Sequence, residues 1–124
     1  HLCYGDPGHK HIVEPADLGT CVAFANGIAA ASPRAMDFVH MPVPRNRSDD
    51  GYFAPLDGLA LAPDTELYLG LVHFSDGNEG TRDRLAAAAN HAGAFGIATE
   101  CGFGRRDPET IPGLLGIHVE AAGG

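Results

Sequence analysis

Leu67-Tyr68-Leu69-Gly70-Leu71-Val72-His73-Phe74 is the stretch on which the fold turns, with Ser75-Asp76-Gly77-Asn78 and the alanine-rich run 81–92 behind it. The first eight residues are apolar almost throughout, the composition of a strand covered on both faces. The next four are turn residues. Residues 81–92 then predict a helix, with Gly93 in the C′ position. A fully buried strand that hands over through a tight turn to a helix is the unit of a parallel sheet.

Reading outward, the same alternation recurs. Upstream, residues 36–41 form a second apolar run, closed by Pro42 and Pro44. Before it, Leu18, Cys21, Val22, Ala25, Ile28 and Ala29 recur at intervals of three and four, which predicts an amphipathic helix between Pro15 and Ala31. Residues 1–4 read as the end of a further strand, broken by Gly5-Asp6-Pro7-Gly8 and followed by a polar, solvated loop holding His9, Lys10 and His11. Between Tyr52 and Leu61 a short helix is expected, made irregular by Pro55 and Gly58. Downstream, residues 95–100 give a fourth strand. Asp107-Pro108 is then an N-cap and N1 pair, opening a helix one face of which is lined by Ile111, Leu114, Leu115, His118 and Val119.

The expected order is therefore β-α-β-α-β-α-β-α, at roughly 30 residues per unit. A doubly wound sheet and a (β/α)8 barrel both accommodate it. Four units are half a barrel. His1-Leu2-Cys3-Tyr4 reads as a strand end with no strand body before it. Residues 1–124 are accordingly expected to be a single partial domain, the C-terminal half of a barrel, with exposed strand edges through which it self-associates.

Composition excludes several classes of function. The 124 residues carry 8 Lys and Arg against 16 Asp and Glu, a net charge of −8 that disfavours binding to nucleic acid or an anionic membrane surface. No apolar run approaches the ~18 residues of a membrane span. The 3 cysteines form no C-x-x-C pair and no even set. A disulfide framework is not expected, and a reducing, cytoplasmic setting is. No phosphate-binding glycine loop follows a strand, which argues against nucleotides.

In parallel α/β folds the chemistry sits at the C-terminal ends of the strands. Those ends carry His1 and Cys3, then His40, then His73, then Glu100 and Cys101. His-x-Cys on an extended chain points both side chains to one side. With Cys101 it makes an N,S,S donor set suited to zinc with one position left open. Such a centre holds a substrate thiol as thiolate at neutral pH, ready to attack an alkyl donor. A poor leaving group then needs a proton, and His73 is the candidate donor. Arg45, Arg47, Arg105 and Arg106 lie just past strand ends, where guanidinium groups can hold carboxylate or phosphate. Asp6, Arg45, Asp76 and Glu100 are the candidate substrate contacts. Cys21 falls on the apolar helical face and is expected in the core.

These residues resemble a known family. His1-Leu2-Cys3-Tyr4 is similar to the H-x-C-Y strand end of cobalamin-independent methionine synthases. Cys101-Gly102-Phe103-Gly104-Arg105-Arg106 with Pro108-Glu109-Thr110 resembles that family's C-G-x-x-x-R segment, and Val72-His73 its apolar-His strand end. The resemblance implies zinc held by His1, Cys3 and Cys101, with His73 as proton donor. It also implies transfer of a methyl group from a folate to a homocysteine thiol. The family's glutamate ligand has no counterpart at His40-Met41-Pro42-Val43-Pro44-Arg45, where His40 is the candidate substitute. Two other classes share the pattern. One is a non-catalytic module binding a metal or small ligand; the other is a barrel lyase or hydrolase acting on a carboxylate substrate.

Overall fold

The computed structural model describes residues 1–5, 7–9 and 11–123. Its regular elements are α1 (Gly19–Ala31), β1 (Phe38–Pro42), α2 (Asp50–Phe53), β2 (Glu66–Val72), α3 (Gly77–Ala89), β3 (Gly96–Thr99) and α4 (Ile111–Ala121). The three strands form one parallel sheet in the order β1-β2-β3. This corrects the expected four-unit half barrel: among the described residues the sheet is open and three-stranded. The expected first strand contributes a single backbone hydrogen bond to the sheet, from Leu2 N–H to the His40 carbonyl at 2.9 Å. Gly5, at φ +80°, then turns the chain away before a ladder can form.

The other secondary-structure elements read from the sequence are present in kind and shift at their ends. Strands β1, β2 and β3 fall within a residue or two of the ranges read from the apolar runs. Helix α3 starts earlier than its alanines suggest and stops at Ala89, with Asn90 rather than Gly93 closing it. The Tyr52–Leu61 stretch splits into α2 and a 3-10 turn over Ala54–Gly58. Asp49 caps α2 by accepting the Tyr52 N–H at 3.0 Å.

Alternation along the strands decides the packing. Val39 and Met41 of β1, with Leu67, Leu69 and Leu71 of β2, are buried against Cys21, Val22 and Ala25 of α1, Tyr52 and Phe53 of α2, and Ala87 and Ala88 of α3. A smaller cluster joins Val72 to Leu114 and Ile117 of α4. The Tyr52 hydroxyl is buried but satisfied, donating to the Pro42 carbonyl at 2.9 Å.

One buried residue breaks the apolar pattern. Arg84 lies on the inward stripe of α3 with Thr81, Ala87 and Ala88, and is 1% exposed. Its Nε–H donates to the Leu71 carbonyl at the end of β2, at 2.7 Å. Nη1 donates to the Arg45 carbonyl, beyond β1, and both terminal nitrogens reach the Asp76 carboxylate, at 2.7 and 3.0 Å. Asp76 in turn presses on Gly80, where an added Cβ would collide with the carboxylate. Burial opposes ionisation of Asp76, but the hydrogen bond and charge of Arg84 outweigh it and hold the carboxyl below its usual range.

Asp76→Ala strands the guanidinium without its carboxylate and should cost about 3–5 kcal/mol, read as a lowered urea midpoint. Because the folded carboxyl is depressed, the pair's contribution is present above the unfolded carboxylate range and is lost as pH falls through the folded value. A loss under about 1 kcal/mol, the scale of an exposed pair, would show that Arg84 does not depend on Asp76.

Candidate metal centre and cleft

The chemistry-bearing residues gather at the C-terminal edge of the sheet, as a parallel fold requires. Residues 1–5 lie beside β1 on the Leu2–His40 hydrogen bond, and residues 100–101 follow β3 directly. In β2 the register shifts by one residue between Leu69 and Val72. Gly70 lies in that irregular stretch, where a Cβ would stand 2.8 Å from the Glu100 Cα. Only a glycine lets the backbone of Glu100 approach so closely.

Cys3 Sγ and Cys101 Sγ are 3.6 Å apart, although 98 residues separate them in sequence. Cys101 Sγ is 3.9 Å from His1 Nε2, and the ligating atoms of His1, Cys3 and Cys101 all lie within 4.8 Å of one another. The Gly5 N–H donates to Cys3 Sγ at 3.3 Å. A tetrahedral ion with zinc–sulfur bonds of about 2.3 Å would hold two sulfurs roughly 3.8 Å apart. Two thiols and an imidazole at these separations are a donor set that fits zinc.

His40 touches this centre in a different role from the one expected. Its Nδ1 is 2.7 Å from His1 Nδ1, hydrogen-bond distance between the two rings. Two nitrogens ligating one zinc at about 2.0 Å would stand roughly 3.3 Å apart. The contact instead positions the His1 ring: in the tautomer that donates Nδ1–H to His40, Nε2 keeps its lone pair toward the thiols. That is how a partner behind a ligating histidine sets its tautomer. Burial pushes the His40 imidazole below its ordinary value, which favours the neutral ring.

Cys101 also borders a cleft of about 560 Å3, lined by His11, Arg45, His73, Glu100 and Arg106 among others. His73 Nε2–H donates to the Val43 carbonyl at 2.8 Å, so the Nδ1 lone pair faces Glu100 Oε2, at 3.9 Å. Burial lowers the His73 pKa to about 4, against the partial support of the Val43 carbonyl, with the Arg84 charge adding to the fall. His73 is therefore a neutral imidazole at pH 7.

His11 departs from the solvated loop its sequence predicts. Its side chain is 6% exposed, with Nε2 at 2.8 Å from Glu100 Oε1 and Nδ1 at 3.4 Å from Glu14. Nothing in the local pattern of residues 8–11 signals this, because the partner arrives from the end of β3. Arg45 and Arg106 stand on the cleft, Arg45 donating to Ser75 Oγ at 3.2 Å. Arg47 does not: it is spent on Asp49 and the Ala16 carbonyl. Asp76, expected to contact substrate, has both oxygens engaged by Arg84. Asp6 lies outside the described residues. Cys21 is buried, as expected, with its thiol on the Tyr4 hydroxyl at 3.3 Å.

No family profile, no curated protein and no solved structure matches this chain. Its site is thus defined by geometry alone. Among the described residues, no helix is long and apolar enough to cross a membrane.

The His73 environment has a direct readout. Its imidazole signals should titrate near pH 4 by NMR, well below the ordinary 6.5. The folded chain then refuses a proton that the unfolded chain takes up near 6.5, so His73 destabilises the fold as pH falls from there toward 4. A midpoint above 6 would show that the ring is not desolvated by the cleft floor.

Proposed function

We propose that this chain carries a zinc–thiolate centre that promotes transfer of a methyl or other alkyl group to a substrate thiol such as homocysteine, from a folate-like donor. The observation that carries this reading is the convergence of Cys3, Cys101 and His1 beside a cleft floored by a neutral histidine. His1, Cys3 and Cys101 would hold the ion; His40 orients His1 from behind. A bound zinc ion supplies a lowered thiol pKa, making the substrate thiolate available at neutral pH.

The remaining chemistry belongs to the protein's own groups. His73 Nδ1 is an acceptor at rest, since its other nitrogen donates to Val43. A proton taken up there is weakly held, because the site disfavours imidazolium. Such a proton is readily passed to a poor leaving group on the alkyl donor. Arg45 and Arg106 bring positive charge to a cleft in a chain that is acidic overall, which suits a carboxylate-bearing substrate.

Metal binding is the first test, ahead of activity. The chain should bind one equivalent of zinc, and Cys3→Ser and Cys101→Ser should each abolish tight binding. Unchanged stoichiometry and affinity in both variants would remove the centre and the reaction with it. His40→Ala should keep the stoichiometry and weaken affinity about 10- to 100-fold, with partial rescue by His40→Gln. Cobalt(II) in place of zinc should retain its sulfur charge-transfer bands in the His40 variants and lose them in the cysteine variants.

A further inference from the structure

The two thiols of this centre are arranged for a second chemistry that needs no metal. We propose that Cys3 and Cys101 are a site of reversible oxidative modification, forming a disulfide with a hydroperoxide such as hydrogen peroxide as oxidant. Their sulfurs are already 3.6 Å apart, and a bond needs about 2.05 Å. Closing that gap needs a sulfur displacement of about 1.5 Å. Cys3 lies on a segment outside the ladders, beside Leu2, whose N–H makes a single bond to β1, and before the turn at Gly5. Cys101 follows the end of β3 and precedes Gly102.

Exposure orders the steps. Cys3 is exposed and Cys101 partly so, whereas the third cysteine, Cys21, is buried against Tyr4. Cys3 sulfur attacks one peroxide oxygen and the O–O bond breaks. The departing hydroxide takes the thiol proton, giving water and a Cys3 sulfenic acid. Cys101 sulfur then attacks the Cys3 sulfur, the S–O bond breaks, and the hydroxide leaves as a second water with the Cys101 proton. Two electrons pass from the thiol pair to one peroxide. A dithiol reductant reverses the bond by exchange. Because the disulfide consumes both sulfurs that would ligate zinc, oxidation and metal binding exclude each other.

The sulfur geometry alone carries this disulfide, so its test is separable from that of methyl transfer. Peroxide treatment of the metal-free chain, alkylation and tryptic digestion place the three cysteines in separate peptides, 1–10, 11–34 and 85–105. The expected product joins 1–10 to 85–105, two hydrogens lighter than the reduced pair, restored to thiols by dithiothreitol. Peptide 11–34 should keep its thiol. Cys101→Ser should accumulate the Cys3 sulfenic acid, trapped by dimedone. Over-oxidised Cys3 without the cross-link, or a cross-link through Cys21, would overturn the proposal. One equivalent of zinc added before peroxide should slow the cross-link at least fivefold. Full-rate cross-linking in its presence would refute metal binding at these thiols while leaving the disulfide site established.

Discussion

The guanidinium of Arg84 ties together three pieces of chain at one edge of the sheet. It holds the end of β2 through the Leu71 carbonyl, the loop after β1 through the Arg45 carbonyl, and the first turn of α3 through Asp76. A buried charge of this kind is tolerated only when its donors are used and an opposite charge is close. Its partners are therefore constrained along with it: Asp76 must face inward, and residue 80 must lack a Cβ. The edge of the sheet that carries the cleft inherits that rigidity. His73 follows β2 directly, and its Nε2 bonds the Val43 carbonyl just past β1, so the ring's orientation depends on the same two strand ends.

The His1–Cys3–Cys101 cluster is built on the opposite principle. Cys101 and Glu100 leave the end of β3, where Gly70 permits close backbone approach. His1 and Cys3 come from a segment attached by one backbone bond, by the His1–His40 ring contact and by the packing of Leu2 and Tyr4 against the core. One half of the donor set is held by the parallel ladder and the other half by local contacts. A bound ion would gain from the first and supply order to the second. The same segment brings the two sulfurs to 3.6 Å.

Much of this architecture is legible in the order of the residues. The β2 strand, its turn and α3 follow from apolar composition, turn residues and helical spacing, all local properties of the chain. The burial of Cys21 follows from its place on a three-and-four stripe. The approach of Cys3 to Cys101 is expected from a rule about where parallel strands end, yet Cys3 lies outside the ladders. The expected first strand is the exception, because residues 1–4 have strand composition but make only one backbone bond to the sheet. Composition measures what a segment tolerates, and pairing depends on a neighbour.

By itself, the sequence determined the alternation of strands and helices, the acidic balance, and which residue types stand at strand ends. Tertiary structure alone decided how many strands pair, that Asp76 serves Arg84 and not a substrate, that His11 turns inward to Glu100, and that His40 backs His1. The division has one physical cause. Apolar periodicity and turn propensity act over a few residues and are written in order along the chain. A hydrogen bond or an ion pair between residues tens of positions apart depends on where the backbone has brought them, which no local pattern encodes.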